Sequence, residues 1–333
     1  MSLVELMVGV ALGLFLIAVM GVMYIGSRST YIAQESGSRL QENGRFVMDT
    51  LAQDLRMSGF RGCWGADAVN NTLNTPTALL YNYGQPVWGS HASGGNWAPA
   101  LTSPANDLGA WTAGDLLVVR RPTGPGWSLI ADMADAGAPL AITPTANFTQ
   151  GDLLVVADCG SASVLQATNA GPGAAGSLAH GAGAGGVVPG VASQALSRAY
   201  GNDARVWRLQ TRIYYLANSL RHPGEPALWV YNHPVYDGGA QRTELVSGVE
   251  RLAVSYGVDT DADFSADRFY TADQVTDWTQ VVSARVEVLL NGGIESSNTA
   301  VQPYVFGGAT ITPTDRRQRT VMSMLVSLRN AVP

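Results

Sequence analysis

MSLVELMVGVALGLFLIAVMGVMYIG, residues 1–26, is the stretch on which the rest of the chain hangs. From Leu6 to Ile25 it runs for twenty residues without a charge. At about 1.5 Å per residue such a helix crosses a hydrocarbon core of about 30 Å. No small-residue A-x-A site follows, and the run exceeds the roughly 7–15 apolar residues of a secretory signal, so the segment is expected to stay on the mature chain as an anchor. Just ahead of it stands Glu5, a carboxylate that costs roughly 2.5–3.5 kcal/mol at a bilayer centre and therefore calls for a partner or an exit. Gly9, Gly13, Gly21 and Gly26 interrupt the run, each costing roughly 0.8–1 kcal/mol of helix propensity relative to Ala. Close helix packing and local unwinding are both readings of these glycines.

Past Arg28 the pattern turns polar but keeps a helical period. Leu40, Val47, Leu51 and Leu55 return at spacings of seven and four and predict one buried stripe. Glu35 with Arg39 and Arg45 with Asp49 fall at i,i+4 on the solvated face. Ser58 and Gly59 supply a stop. The expected division is an anchor over 1–27, an amphipathic stem over 28–58, and a globular β-rich domain over 59–333. Beyond Gly62 short apolar runs alternate with Gly, Pro, Asn and Asp, the signature of strands with long loops. The clearest runs are Arg208–Leu216, Ala227–Asn232, Val249–Tyr256, Val281–Leu290 and Thr320–Leu328, the last two expected as neighbours in one antiparallel sheet. The fold class is therefore α+β, a long N-terminal helix packed on a globular antiparallel β-sheet domain with long loops. Two related units, WTAGDLLVV at 111–119 and FTQGDLLVV at 148–156, are too few for a solenoid. Residues 170–190 are rich in Gly and Ala and are expected as a flexible surface loop. Their G-x-G-x-x-G at Gly181, Gly183 and Gly186 lacks a βαβ context and precedes Pro189, so no dinucleotide site is read from it.

Composition narrows the function. Of 333 residues, 46% are hydrophobic, enough for a core, while only 14% are charged, so the surface is polar rather than ionic. The net charge is −6 and every one of the 20 basic residues is Arg, which leaves no Lys-rich patch and argues against nucleic acid as a partner. Without lysine there is no P-loop, no Ser-x-x-Lys nucleophile and no Schiff base. G-x-S-x-G and H-E-x-x-H are absent as well, and a non-catalytic protein with no cofactor is expected.

Three sets of residues are candidates for chemistry. Cys63 and Cys159 are too distant in sequence for a CxxC motif; in an exported chain they read as a disulfide, with two buried thiols as the alternative. Asp259, Asp261, Asp263, Ser265 and Asp267 place oxygens at alternate positions, as in an EF-hand-type calcium loop, but Phe264 replaces the turn glycine and Tyr270 stands where the bidentate Glu belongs. An acidic solvated loop is the competing reading. Trp88, Trp97, Trp111 and Trp127 are candidates for stacking on sugars or anchoring a partner, against simple packing in the core. The histidines at 91, 180, 222 and 233 show no metal spacing.

The segment Met1-Ser2-Leu3-Val4-Glu5 resembles the start of processed type IV pilins and pseudopilins. Gly-Phe-Arg-Gly-Cys at 59–63, Asp158-Cys159, the Gly-Val-Glu to Val-Asp stretch at 248–259 and the terminal Arg329-Asn330 extend the resemblance to the PilW family along most of the chain. The resemblance implies a minor pilin that sits in the inner membrane with its domain in the periplasm. From there it would join other minor pilins, the major pilin and a tip adhesin in a complex that primes and caps the fibre. It also implies that Glu5 pairs with a methylated N-terminal amine, its own or a neighbour's, during docking; two unit charges about 4 Å apart attract by about 4 kcal/mol at an effective dielectric near 20. Met1 is either that processed residue or an initiator. The rival readings are a minor pseudopilin of type II secretion, generally a shorter chain, and a tip adhesin that binds surface glycans through the Trp-bearing loops.

Overall fold

The computed structural model describes residues 2–63, 69–183, 186–293, 298 and 300–330. Residues Leu3–Met57 form a single α-helix, unbroken at Gly9, Gly13, Gly21 and Gly26. It ends as the sequence predicts. The Ser58 hydroxyl donates to the Leu55 carbonyl, and Gly59 takes a φ of 67°, the left-handed conformation that closes a helix end and that a side chain would resist. The Gly59 amide then donates to the Arg120 carbonyl, which ties the helix end to a strand.

Two units make up the chain. The larger takes in Val47–Val288 and Ser323–Pro333, the smaller Met1–Phe46 and Leu289–Met322. The division falls inside the helix: Val47, Leu51 and Leu55 are fully buried, and Asp54 is bonded to strands of the larger unit.

The larger unit is organised on one central strand, Arg205–Asn218, in a nine-stranded sheet. On one side it pairs antiparallel with Leu116–Ser128, which pairs in turn with Val87–Ser93, and that with Asn96–Ala98. On the other side two strands share its length. Leu153–Ala157 takes Arg205–Arg208, and Pro226–His233 takes Thr211–Asn218. The two copies of the G-D-L-L-V-V motif thus flank the same strand from opposite sides. Each begins with a buried aspartate that anchors the strand's entry. Asp115 accepts from the amides of Ala92 and Val254, and Asp152 from the Thr149 amide and hydroxyl and from Arg208 Nε. Period-two alternation sorts the central strand's faces: Ile213 and Tyr215 enter one apolar cluster with Leu116, Val118 and Trp229, while Arg212 and Tyr214 turn to the helix.

After Arg242–Ser247, Gly248 at φ 83° turns the chain into a second sheet. That sheet has the order Arg268–Tyr270, Val249–Val258, Val281–Asn291, Arg319–Ser327, so the last two long strands are neighbours as expected. In the smaller unit Tyr304–Phe306 and Ala309–Ile311 form a hairpin, and Gly44 lies so close to Met322 that a Cβ there would sit 2.4 Å from its sulfur.

Within residues 170–190, of which 184 and 185 lie outside the described residues, the chain carries short regular elements. Pro172–Ala175 form a short helical turn, Ser177–Leu178 pair with Leu140–Ala141, and Leu178 is fully buried in a cluster with Ile142, Leu165 and Tyr200. Composition alone hides this, because Gly173 is required by packing: a Cβ there would lie 1.9 Å from the Ala146 carbonyl oxygen.

Candidate functional site

The helix start is built by two residues. Ser2 precedes the first helical residue, and its hydroxyl accepts from the Glu5 amide at 3.2 Å while Glu5 Oε2 accepts from the Ser2 amide at 2.8 Å. This reciprocal arrangement is a capping box, which satisfies two backbone donors that no helical carbonyl can reach. The S-x-x-E spacing ahead of an apolar run signals it in the sequence, and a reading of Glu5 as a docking charge alone misses it. Met1 lies outside the described residues.

From Leu3 to Tyr31 every residue except Gly13 is exposed, and the helix is long and apolar enough to cross a membrane. A Cβ added at Gly9, Gly13, Gly21 or Gly26 would meet nothing within 4 Å, in contrast to Gly44 on the same helix. Among the described residues, no contact accounts for these four glycines. Gly9 and Gly13 are four residues apart, the small-residue spacing that lets apolar helices approach closely.

Lower on the helix, Asp54 is 2% exposed and collects three partners from the sheet. Arg121 Nε lies 2.7 Å from Oδ1, Arg212 Nη1 donates to Oδ2 at 3.0 Å, and the Tyr214 hydroxyl donates to Oδ2. Burial, reinforced by the Asp54 charge, pushes the Tyr214 phenol well above its ordinary range and keeps it a donor. Nearby, Arg120 is buried and bonded to the carbonyls of Leu79 and Gln85; burial draws its pKa down to about 10. Both groups fasten loops and helix to the sheet.

Cys63 and Cys159 form a disulfide with Cα atoms 5.0 Å apart. Of the acidic loop, Asp259, Asp261 and Asp267 bring carboxylate oxygens within 4.8 Å of one another, with Asp263 outside that group. Much of their acceptor capacity is used by the loop itself. Asp259 accepts from the amides of Asp261, Ala262 and Phe264, Asp267 from the Thr260 amide and hydroxyl, and Asp263 from the Ser265 amide. The charges of Asp263 and Asp267 raise the Asp261 pKa, while the Thr260 hydrogen bonds lower that of Asp267.

The four tryptophans are each half-buried, and Trp88 and Trp97 pack on the same apolar cluster. Trp88 lies 6.1 Å from Trp278, which stacks edge-on with Tyr256, and Trp127 packs on the cluster around Tyr200. Trp97 packs on the cluster of Leu108, Leu116 and Trp229 and also lines a groove. Among the histidines, His91 Nδ1 is 2.8 Å from Asp115, and buried His180 donates through Nε2 to the Ala138 carbonyl.

Residues 213–330 match the family model of the type IV pilus-assembly protein W. The resemblance to the PilW family is borne out over that segment, just over a third of the chain. No curated protein and no solved structure matches. The PilW segment takes in the upper half of the central strand, the whole of the second sheet and Asn330, whose side-chain amide donates to the carbonyls of Arg56 and Ser58 at the helix end. It begins at Ile213, so the Tyr214 hydroxyl that reaches Asp54 belongs to it. The chain is thus related to type IV pilus assembly.

Proposed function

We propose that this chain is a minor pilin, a non-catalytic structural subunit of the complex that primes type IV pilus assembly and caps the fibre tip. The observation that carries the reading is a helix exposed from Leu3 to Tyr31 and apolar through Ile25, with a carboxylate at its outer end, on a chain that also holds a PilW segment. In the inner membrane, lipid covers that apolar surface, with the β domain in the periplasm. In a fibre, the helices of neighbouring pilins cover it, and the glycines without internal contacts give those helices room to approach. Glu5 then meets the N-terminal amine of itself or a neighbour and fixes axial register. The β domain is left for other minor pilins and a tip adhesin.

The test is a complemented deletion strain. Loss of the gene is expected to reduce surface pili and to leave type II secretion intact; normal piliation with failed secretion would assign the chain to a secretion pseudopilus instead. Glu5→Ala is expected to insert in the membrane like the native chain but to disappear from sheared pili.

A further inference from the structure

The final strand, Arg319–Ser327, ends its sheet, with Val281–Asn291 as its neighbour among the described strands. Two backbone bonds fix the pairing: the Leu328 amide donates to the Val282 carbonyl, and the Gly292 amide to the Gln318 carbonyl. Both belong to one antiparallel register, in which Leu328 faces Val282 and Gln318 faces Gly292. In such a ladder alternate residues turn their backbone to a given neighbour. Even-numbered residues from Gln318 to Leu328 therefore turn inward, and the amides and carbonyls of Val321, Ser323, Leu325 and Ser327 point out of the edge. Ser323, Leu325 and Ser327 are all exposed, Leu325 by 58%. Arg285 faces Leu325 in this register, but its guanidinium lies over the ring of Phe269, 4.3 Å from the centroid, on the strand at the opposite edge of the sheet.

Natural sheets blunt an open edge with charge, proline, a bulge or brevity. The other strands that end a sheet are two or three residues long, except Arg242–Ser247, which carries Arg242 and Glu244. From Thr320 to Leu328 the final edge has no charge, no proline and no glycine. A second copy of this chain does not fit it. The strand runs the same way as the helix beside it: Gln318 lies against Gly37, Met322 against Gly44, and Asn330 bonds the carbonyls of Arg56 and Ser58. An antiparallel copy would turn its apolar helix in the opposite direction, which two subunits of one membrane or one fibre cannot share. A parallel copy related by a two-fold axis would set each outward amide against the same amide of its partner, where a ladder needs a carbonyl.

We infer that this edge receives an extended, uncharged segment of a different protein, which adds a strand beside Arg319–Ser327 and is apolar where it meets Leu325. Backbone bonding through Val321, Ser323, Leu325 and Ser327 supplies the affinity, and the side chain set beside Leu325 supplies the selection. The exclusion of a second copy rests on the reading of the helix as an anchor; the open edge does not.

The experiment uses the full chain in detergent and, as probe, a short capped peptide of alternating threonine and valine. Amide-resolved hydrogen exchange of the free chain is expected to show Met322, Met324 and Val326 protected and Ser323, Leu325 and Ser327 fast. Saturating peptide is expected to protect the second set and leave the first unchanged. Ser323→Pro removes an outward donor that the ladder does not use, and Leu325→Lys sets a charge in the middle of the edge. Each is expected to weaken binding about tenfold. Absence of peptide-dependent protection at the three outward amides overturns the site, as does binding undiminished in both variants. Protection of those amides that rises with protein concentration alone assigns the edge to a second copy and overturns the inference. All these outcomes are read on the purified chain, and so are separate from the piliation test of the pilin reading.

Discussion

Asp54 and Tyr214, 160 residues apart, share a buried hydrogen bond in which the phenol donates to the carboxylate. Around it Arg121 and Arg212 complete a charge cluster that joins the lower helix to the central strand and its neighbour. Removing the acid leaves two largely buried guanidinium groups facing each other. Asp54→Ala is expected to cost about 3–5 kcal/mol, the penalty for orphaning one side of a buried pair. Thermal unfolding of the full chain in detergent checks this, and an unchanged midpoint would mean that water already shields the arginines.

At the helix start the capping role of Glu5 and its proposed docking role can be pulled apart. Gln serves as well as Glu in the third position of a capping box but carries no charge. Glu5→Gln is therefore expected to keep the helix end ordered and still to fail in fibre incorporation. Ser2→Ala removes the cap, at about 0.5–2 kcal/mol, and leaves the charge. It is expected to fray the first turn while incorporation persists at a reduced level. Co-purification with sheared pili, alongside amide exchange of the first turn in micelles, reads the two effects separately.

The Cys63–Cys159 bond closes a loop spanning 96 positions. On the chain-entropy model it contributes about 4–5 kcal/mol to stability. The double variant Cys63→Ser/Cys159→Ser is expected to unfold at markedly lower denaturant concentration. Reduction of the native protein should reproduce that shift and leave the variant unaffected.

Asp315 gives a pH signature. Arg319 meets it with both terminal nitrogens, at 2.6 and 2.9 Å, and with the Arg317 amide these contacts hold its carboxyl down to about 2. Because the folded value lies below the unfolded one, near 3.8, the stabilisation is fully present above about pH 4 and fades as the pH falls towards 2. Protection of the Arg317 amide is expected to decline through that window, and Asp315→Asn to abolish the decline.

Much of this architecture was legible in periodicity. Leu40, Val47, Leu51 and Leu55 marked the buried stripe, and all four are buried. The five long runs marked in the sequence all proved to be strands, within three residues at each end. What stayed hidden depends on tertiary contact. Asp54 sits among apolar stripe positions and reads as an ordinary solvated residue until strands 116–128 and 205–218 arrive beside it. Gly173 reads as low complexity until the Ala146 carbonyl is seen against its missing side chain. Trp97 was indistinguishable from Trp88 and Trp127, since only the hairpin geometry decides which ring borders open space.

The disulfide has a mechanical meaning for a subunit pulled through its helix. Tension entering at Met57 reaches Cys63 after six residues and is passed by a covalent bond directly to Cys159. The chain between them holds the strands Val87–Ser93, Leu116–Ser128 and Leu153–Ala157, tied to the helix end by non-covalent contacts, Asp54 to Arg121 and Gly59 to Arg120. Roughly 320–340 Å of contour length is withheld from extension by the covalent bond. Under a stretching force those non-covalent ties can give way while the disulfide still keeps the segment between the two cysteines out of the extended length.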